Sequence, residues 1–412
     1  MGIGTLAKSG ERRAVIIGGS MSGLFAATLL ARAGWQADIY ERAEAELSGR
    51  GAGIVTHPAM RDVLRAAGCD PSRDLGIEVA GRKTLDREGG VIGRHACPQT
   101  LTSWDRVFRM LRDNFPPQRY HLGKELLRIA PSAAGVVAQF AEGTAVEAEL
   151  LVGADGFRSS VRAQILPDVR PVYAGYVAWR GLVAESALSR AAHEALFDAL
   201  VFCLPPGEQC LSYPVAGPDN DLRPGRRRSN FVWYRPAAES AELRRLLTDA
   251  TGRLHALGIP PPLVRPEVIA ELREAARSLL PPQLDEVVRL TARPFLQPIY
   301  EVETPHTVRG RVALLGDAAF LARPHVAAGV TKAAQDAMAL ADALQSNDND
   351  SGLAQFDAAR SGVNRQVIQR GRDLGSYLQP HPGSPEQRRK AALHGTPQAV
   401  MSEVAVLDFL QA

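Results

Sequence analysis

Apolar positions along the chain gather in short runs that end at glycine or an acid. The runs at 14–17, 150–153 and 312–315, with the mixed run 36–40, predict strands of a buried parallel sheet, where both faces are covered and in/out alternation is lost. The first passes through a glycine-rich turn into helix-forming residues 24–33, stopped by Gly34. The last leads into a helical stretch reaching Leu344. Between about 171 and 297 the pattern changes. Short aromatic and β-branched runs at 172–183, 211–215 and 230–234 predict an antiparallel sheet, and a helical tail is expected from about Leu353.

Parallel strands this far apart require one α/β domain assembled from separated segments. The expected division is 1–75, 96–170 and 298–345 for that Rossmann-like domain, 76–95 and 171–297 for an inserted antiparallel β-sheet substrate domain, and 346–412 for a helical C-terminal tail. A chain of 412 residues can bury a full core. Its formal net charge of +3 is mild and spread out, which argues against nucleic acid as a partner. The densest basic run, Arg226-Arg227-Arg228, is expected in a solvated loop. No stretch approaches the roughly 18 apolar residues that span a membrane. Cys69, Cys97, Cys203 and Cys210 show no C-x-x-C spacing, so neither a metal site nor a disulfide framework is expected. With no signal-peptide pattern, the expected location is cytoplasmic.

Three signatures carry chemistry. Gly18, Gly19, Ser20, Met21, Ser22 and Gly23 form the turn between the first strand and helix, where backbone N–H groups and the helix dipole suit a pyrophosphate. Ser20 replaces the middle glycine of G-x-G-x-x-G; it is small, and its hydroxyl can donate to a phosphate oxygen. Glu41 ends the second strand about twenty residues on, the place for a carboxylate that accepts from ribose hydroxyls. Asp155-Gly156 closes the 150–153 strand, either as a cofactor contact or as a plain capped strand end. Gly316-Asp317 closes the third, followed by Arg323-Pro324-His325-Val326-Ala327-Ala328-Gly329. Asp317 suits ribityl hydroxyls. The helix starting near Gly329 and Val330, preceded by Ala327 and Ala328, would aim N–H groups at a flavin pyrimidine ring. The order and separation of the three motifs fit one FAD laid across a single domain.

With these motifs the chain resembles the p-hydroxybenzoate hydroxylase family of FAD-dependent aromatic monooxygenases, almost end to end. Further support comes from Leu47-Ser48-Gly49, 51–55 and 173–181. Ala327, Ala328 and Phe320, where most members have glycine, glutamine and histidine, move it toward the subgroup acting on hydroxylated pyridines. The resemblance implies a glutathione-reductase-type FAD domain. It also implies cofactor contacts from Arg42, Arg50, Gly53 and Arg106, the last either near the FAD phosphates or a solvated helix arginine. A homodimer is one assembly it allows.

The implied reaction uses NADH or NADPH to reduce FAD. Dioxygen adds at the flavin C4a position, and the hydroperoxide passes OH to a small hydroxylated aromatic or N-heteroaromatic ring. No second nucleotide turn is visible, so the nicotinamide coenzyme is expected to bind transiently. Pro324 would sit against the flavin edge. His325, as an unperturbed imidazole, could accept a ring hydroxyl proton, or could merely shape the loop. His57 is either a second candidate base or a strand-end histidine. Tyr213 is expected to face substrate, whereas Trp179 and Arg180 cannot be assigned a face. Two other readings stand beside this one. One is an FAD-dependent reductase or halogenase on the same fold, the halogenase disfavoured because its G-W-x-W-x-I-P signature is absent. The other is a non-catalytic flavin-binding protein.

Overall fold

The computed structural model describes residues 12–47, 53–72, 74–133, 135–379 and 384–410. Its first sheet has the strand order Val308–Arg309, Val312–Leu314, Leu150–Gly153, Arg13–Ile17, Gln36–Tyr40, Tyr120–His121. All neighbours are parallel except at the Val308–Arg309 edge. Ala14 to Ile17 are buried because helices cover one face and a three-stranded sheet, residues 126–148, the other. The helices Met21–Arg32 and Gly329–Ser346 pack on the first face through Leu24, Phe25, Ala334, Ala337 and Leu340.

The second sheet has nine strands, and residues of the first domain build both its ends. Phe320–Leu321 pairs with Phe295–Glu303 at one end, and Gly53–Val55 pairs with Val91–Ser103 at the other. It therefore hangs across the carboxyl ends of the parallel strands. It is antiparallel except where Ala199–Cys203 runs parallel beside Ile77–Leu85. Val91–Ser103 carries this sheet through residue 103, and Phe295–Glu303 through residue 303. Alternation gives the sheet two apolar faces. Val177, Trp179, Phe231 and Trp233 pack on the helices Pro266–Leu279 and Pro282–Leu290. Tyr176, Ala178, Leu211, Tyr213, Val232 and Tyr234 point the other way.

The C-terminal tail starts at Asn349, ahead of residue 353, because the Asp348 carboxylate caps the helix Asn349–Leu374 through the N–H groups of Asp350 and Ser351. Near its end lies the helix Pro397–Glu403, where carbonyls in and just after the helix accept hydrogen bonds from a buried arginine of the second sheet. Arg82 donates to Met401 O at 2.8 Å and to Val404 O at 2.5 Å. The basic run 226–228 is not a freely solvated loop. Arg227 pairs with the buried Glu185 at 2.6 Å, Arg228 donates to Ala216 O, and only Arg226 is exposed. Glu185, taken out of water, needs that cation. Among the described residues no helix is long and apolar enough to cross a membrane.

Candidate active site

The three signatures meet at the carboxyl edge of the parallel sheet. A Cβ on Gly18 would lie 2.5 Å from Ala154 O, so the first motif rests on the second. A Cβ on Gly316 would lie 2.4 Å from Ser22 Oγ, so the third rests on the first. Gly18 and Gly316 also hold φ of +106° and +58°, where a side chain is strained. Gly19 N–H donates to Glu41 Oε2 at 2.7 Å, Ala43 N–H donates to Oε1 at 2.9 Å, and the Tyr120 hydroxyl donates to Gly19 O at 2.8 Å. Glu41 is thus held beside the glycine turn.

Two helix N-termini at this edge lack a protein cap; Pro58–Ala66 lacks one too, but it opens on a proline and so has one N–H fewer to offer. Ser103, Ser159, Ser189, Asp348, Ser384 and Thr396 cap their helices with side-chain acceptors. The helices Met21–Arg32 and Gly329–Ser346 have neither a side-chain cap nor an acid in the first turn. Their leading N–H groups are free for an external acceptor. Asp317 lies in the turn before the second of these helices. That turn is anchored by Gly316 N–H on Asp336 Oδ2, and Asp336 is itself bonded to Arg360 and Asn364. The Asp317 carboxylate has no hydrogen-bond partner among the described residues. Burial, and then Asp336, push it above the usual carboxylate range against the pull of Lys332. Uncapped N–H groups at two helix ends, with the Glu41 and Asp317 carboxylates nearby as acceptors for hydroxyls, fit FAD.

Between this edge and the second sheet lies a cavity of about 600 Å³, a size usual for small-molecule sites. Asp317, Pro324, Ala327, Ala328, Gly329 and Val330 line one side; Arg180, Gln209, Tyr213 and Tyr234 line the other. His325, 1% exposed, sits between them. Its Nε2 is 2.8 Å from the Tyr176 hydroxyl, its ring centroid is 4.5 Å from that of Tyr234, and its Nδ1 is buried without a partner. Burial, then Arg323 and Arg180, push its pKa down to about 3. The expectation of an unperturbed imidazole therefore fails. His325 is held neutral and takes a proton poorly, because a charged ring would lose its hydration and face two guanidinium groups.

Other expected residues fall in different places. Tyr213 lines the cavity, its ring so close to Gly53 that a Cβ there would meet it at 2.4 Å. His57 lies outside the cavity lining, at the N-cap of Pro58–Ala66. Burial lowers its pKa to about 4, opposed by a hydrogen bond to the Ala327 backbone. It buttresses the turn in which Ala327 adopts a left-handed φ of 50°. Arg106 reaches a separate polar pocket beyond Gly53, and its Nε donates to Asp74 O. Asp155 caps the helix Ser160–Ile165 with Oδ2, while its Oδ1 is buried and unpaired. Arg42 is exposed. Arg50 lies outside the described residues, as do Ser48, Gly49, Gly51 and Ala52.

Sequence reasoning missed Arg180, Gln209, Arg323, Phe157, Tyr300 and the tail residues Val404 and Ala405, all in the cavity lining. For Arg180 a signal existed. Trp179 belongs to the helix-side core, so period-two alternation puts Arg180 on the opposite face with Tyr176 and Ala178.

Comparison with known proteins agrees with this geometry. A family described as FAD binding domain-like matches residues 173–301. The chain is 32% identical over 388 residues to a 2,6-dihydroxypyridine 3-monooxygenase of Paenarthrobacter nicotinovorans, covering 94% of this chain and 96% of that protein. The structure of 2,6-dihydroxypyridine-3-hydroxylase from Arthrobacter nicotinovorans superposes with a TM-score of 0.84 at 31% identity, over 91% of this chain and 95% of that one. A Klebsiella pneumoniae protein solved with FAD and uric acid shares the fold, with a TM-score of 0.75 at 23% identity over 96% and 94% of the two chains.

Proposed function

The chain belongs to the p-hydroxybenzoate hydroxylase family of FAD-dependent aromatic monooxygenases, and from that premise we propose that it hydroxylates a small, already hydroxylated N-heteroaromatic ring of the dihydroxypyridine kind, using NADH or NADPH and dioxygen. The observation that carries this reading is the shape of the cavity. It joins the uncapped end of Gly329–Ser346 and Asp317 to a wall of aromatic and hydrogen-bonding side chains. The dihydroxypyridine monooxygenase relative, matched over nearly its whole length, supports the ring type.

The residues that would hold FAD are the turn 18–23, Glu41, Asp317 and the N–H groups of Gly329 and Val330. When bound, FAD supplies the redox chemistry, accepting hydride from the nicotinamide and activating dioxygen for transfer of OH. The chain's own work is placement and protection. Tyr213, Val232 and Tyr234 form a floor for a flat ring, and Leu211, Leu296 and Ile299 keep the surroundings apolar. His325, neutral and hydrogen-bonded through Nε2 to the Tyr176 hydroxyl, shapes the cavity wall beside Pro324. Four unpaired cysteines support a reducing, cytoplasmic setting.

The test is NAD(P)H oxidation by FAD-loaded protein against a panel of hydroxylated pyridines and phenols, with dioxygen uptake and hydrogen peroxide followed together. A dihydroxypyridine that accelerates oxidation, consumes dioxygen and releases little peroxide supports the reading. Turnover that proceeds equally without dioxygen would instead identify a reductase.

A further inference from the structure

Hydrogen-bonding capacity in the cavity is lopsided. Arg180 forms no hydrogen bond or ion pair with any described residue, and its Nε is shielded from solvent. Gln209, fully buried, accepts from the Tyr377 hydroxyl at 2.8 Å, which leaves its Nε2 unpaired. Arg323 gives Nε to Glu301, but its Nη1 is buried without a partner. Against these donors, the described lining contains one carboxylate, Asp317, on the cofactor side. Arg180 is half-buried, and withdrawing even part of a guanidinium from water without an acceptor costs free energy. The groups it acts on, Tyr213, Tyr234 and His325, are neutral, so none of the described residues discharges it.

The sheet register shows what lies around it. Arg180 pairs with Val232, which pairs with Leu211; one row along, Ala178, Tyr234 and Gln209 line up. Arg180 and Gln209 thus stand two strands and one row apart, about 12 Å, on either side of a floor made by Val232 and Tyr234. A small planar ring laid on that floor presents an edge to Arg180.

We propose that Arg180 is the anion receptor of this cavity and determines which ring is accepted: the substrate binds as its oxyanion, with the charged ring oxygen on the Arg180 guanidinium. This rests on the hydroxylase reading above and specifies its substrate form. The cation lowers the pKa of the bound ring hydroxyl. The ring is thereby held in its electron-rich form without a protein base to store the proton, which suits a His325 that stays neutral.

The experiment uses FAD-loaded parent, Arg180→Met and Arg180→Lys, with 2,6-dihydroxypyridine and a simple phenol as probes. Binding is read from the flavin spectrum, and ring ionisation from the absorbance of the bound ring across pH. In the parent, the bound ring should ionise at lower pH than it does free. Arg180→Met should bind the ring about 10- to 100-fold more weakly, the range of a lost charge-assisted hydrogen bond, and should return its ionisation to the solution value. Arg180→Lys keeps the charge without the planar fork, so it should retain the ionisation shift while binding less tightly. If Arg180→Met loses FAD or fails to fold, the lysine variant carries the test. A methionine variant, or in its absence a lysine variant, that binds and turns over like the parent overturns the assignment of Arg180. A parent stimulated by no ring refutes the hydroxylase reading instead, so the two failures are distinguishable.

Discussion

Two buried histidines should make this protein lose stability in mild acid, and the size of the effect follows from their surroundings. His57 and His325 are 6% and 1% exposed, with pKa values lowered from 6.5 to about 4 and about 3. Both are neutral in the folded state, and both gain a proton on unfolding once the pH drops below about 6.5. The stability they contribute is therefore complete above that value and is lost as pH falls toward their folded values. Each loses about 1.4 kcal/mol per pH unit well inside that window, so between pH 7 and 5 each costs about 2 kcal/mol and the pair about 4. That is a large part of a typical unfolding free energy of about 5–15 kcal/mol. Carboxylates with lowered values, such as Glu185, begin to matter only below about 4.5, while Asp317 and Glu208, raised by burial, gain stability as pH falls and run against the histidines, so the histidine share is read as the difference between parent and variant. The assay is equilibrium urea unfolding at pH 7, 6 and 5 for the parent, His57→Gln, His325→Gln and the double variant. Each single variant should lose about half of the parent's pH slope. A double variant as acid-sensitive as the parent would refute the reasoning.

Three other substitutions probe separate parts of the argument. Ala327→Gly should stabilise the protein by about 0.5–1 kcal/mol by relieving a left-handed φ of 50°, seen as a higher thermal midpoint; no change would mean the turn bears no strain. Gly19→Ala should yield protein purified with little FAD and destabilised by about 1–3 kcal/mol, because its Cβ would fall 2.2 Å from the Tyr120 hydroxyl oxygen. Normal flavin content would remove this turn from the cofactor site. Arg82→Met should cost about 3 kcal/mol, since the Met401 and Val404 carbonyls lose a charged donor. It should also speed tryptic cleavage of the C-terminal segment and raise KM, because Val404 and Ala405 line the cavity and the Ala405 N–H bonds to His325 O.

The parts of the molecule visible in the chain are those set by local backbone demands. A strand that must turn sharply into a helix needs glycine whatever surrounds it, so Gly18, Gly19 and Gly23 marked the turn before Met21–Arg32, and Asp317 and Gly329 the segment leading into Gly329–Ser346. The expected strands 172–183, 211–215 and 230–234 appear as Val172–Ala184, Gln209–Val215 and Arg228–Pro236. Alternation of apolar residues depends only on the pleat, and it survives any tertiary arrangement.

The properties that folding alone created depend on what comes to lie beside what. The sequence neighbours of His325 give no hint that Tyr176, 149 positions away, would hydrogen-bond its ring, or that Arg180 and Arg323 would make its protonation costly. Asp155 became a helix cap because Ser160 and Val161 turned their N–H groups back onto it. Arg227 left solvent because Glu185 was buried within reach. Arg82 became the anchor of a tail more than 300 residues away. Backbone conformation is encoded within a few residues, whereas burial, charge balance and orphaned hydrogen-bond donors are properties of a closed cavity. The glycine turns and strand patterns were thus readable in one dimension. The neutral histidine, the unpartnered Arg180 and the cavity wall supplied by the tail exist only once distant segments have packed.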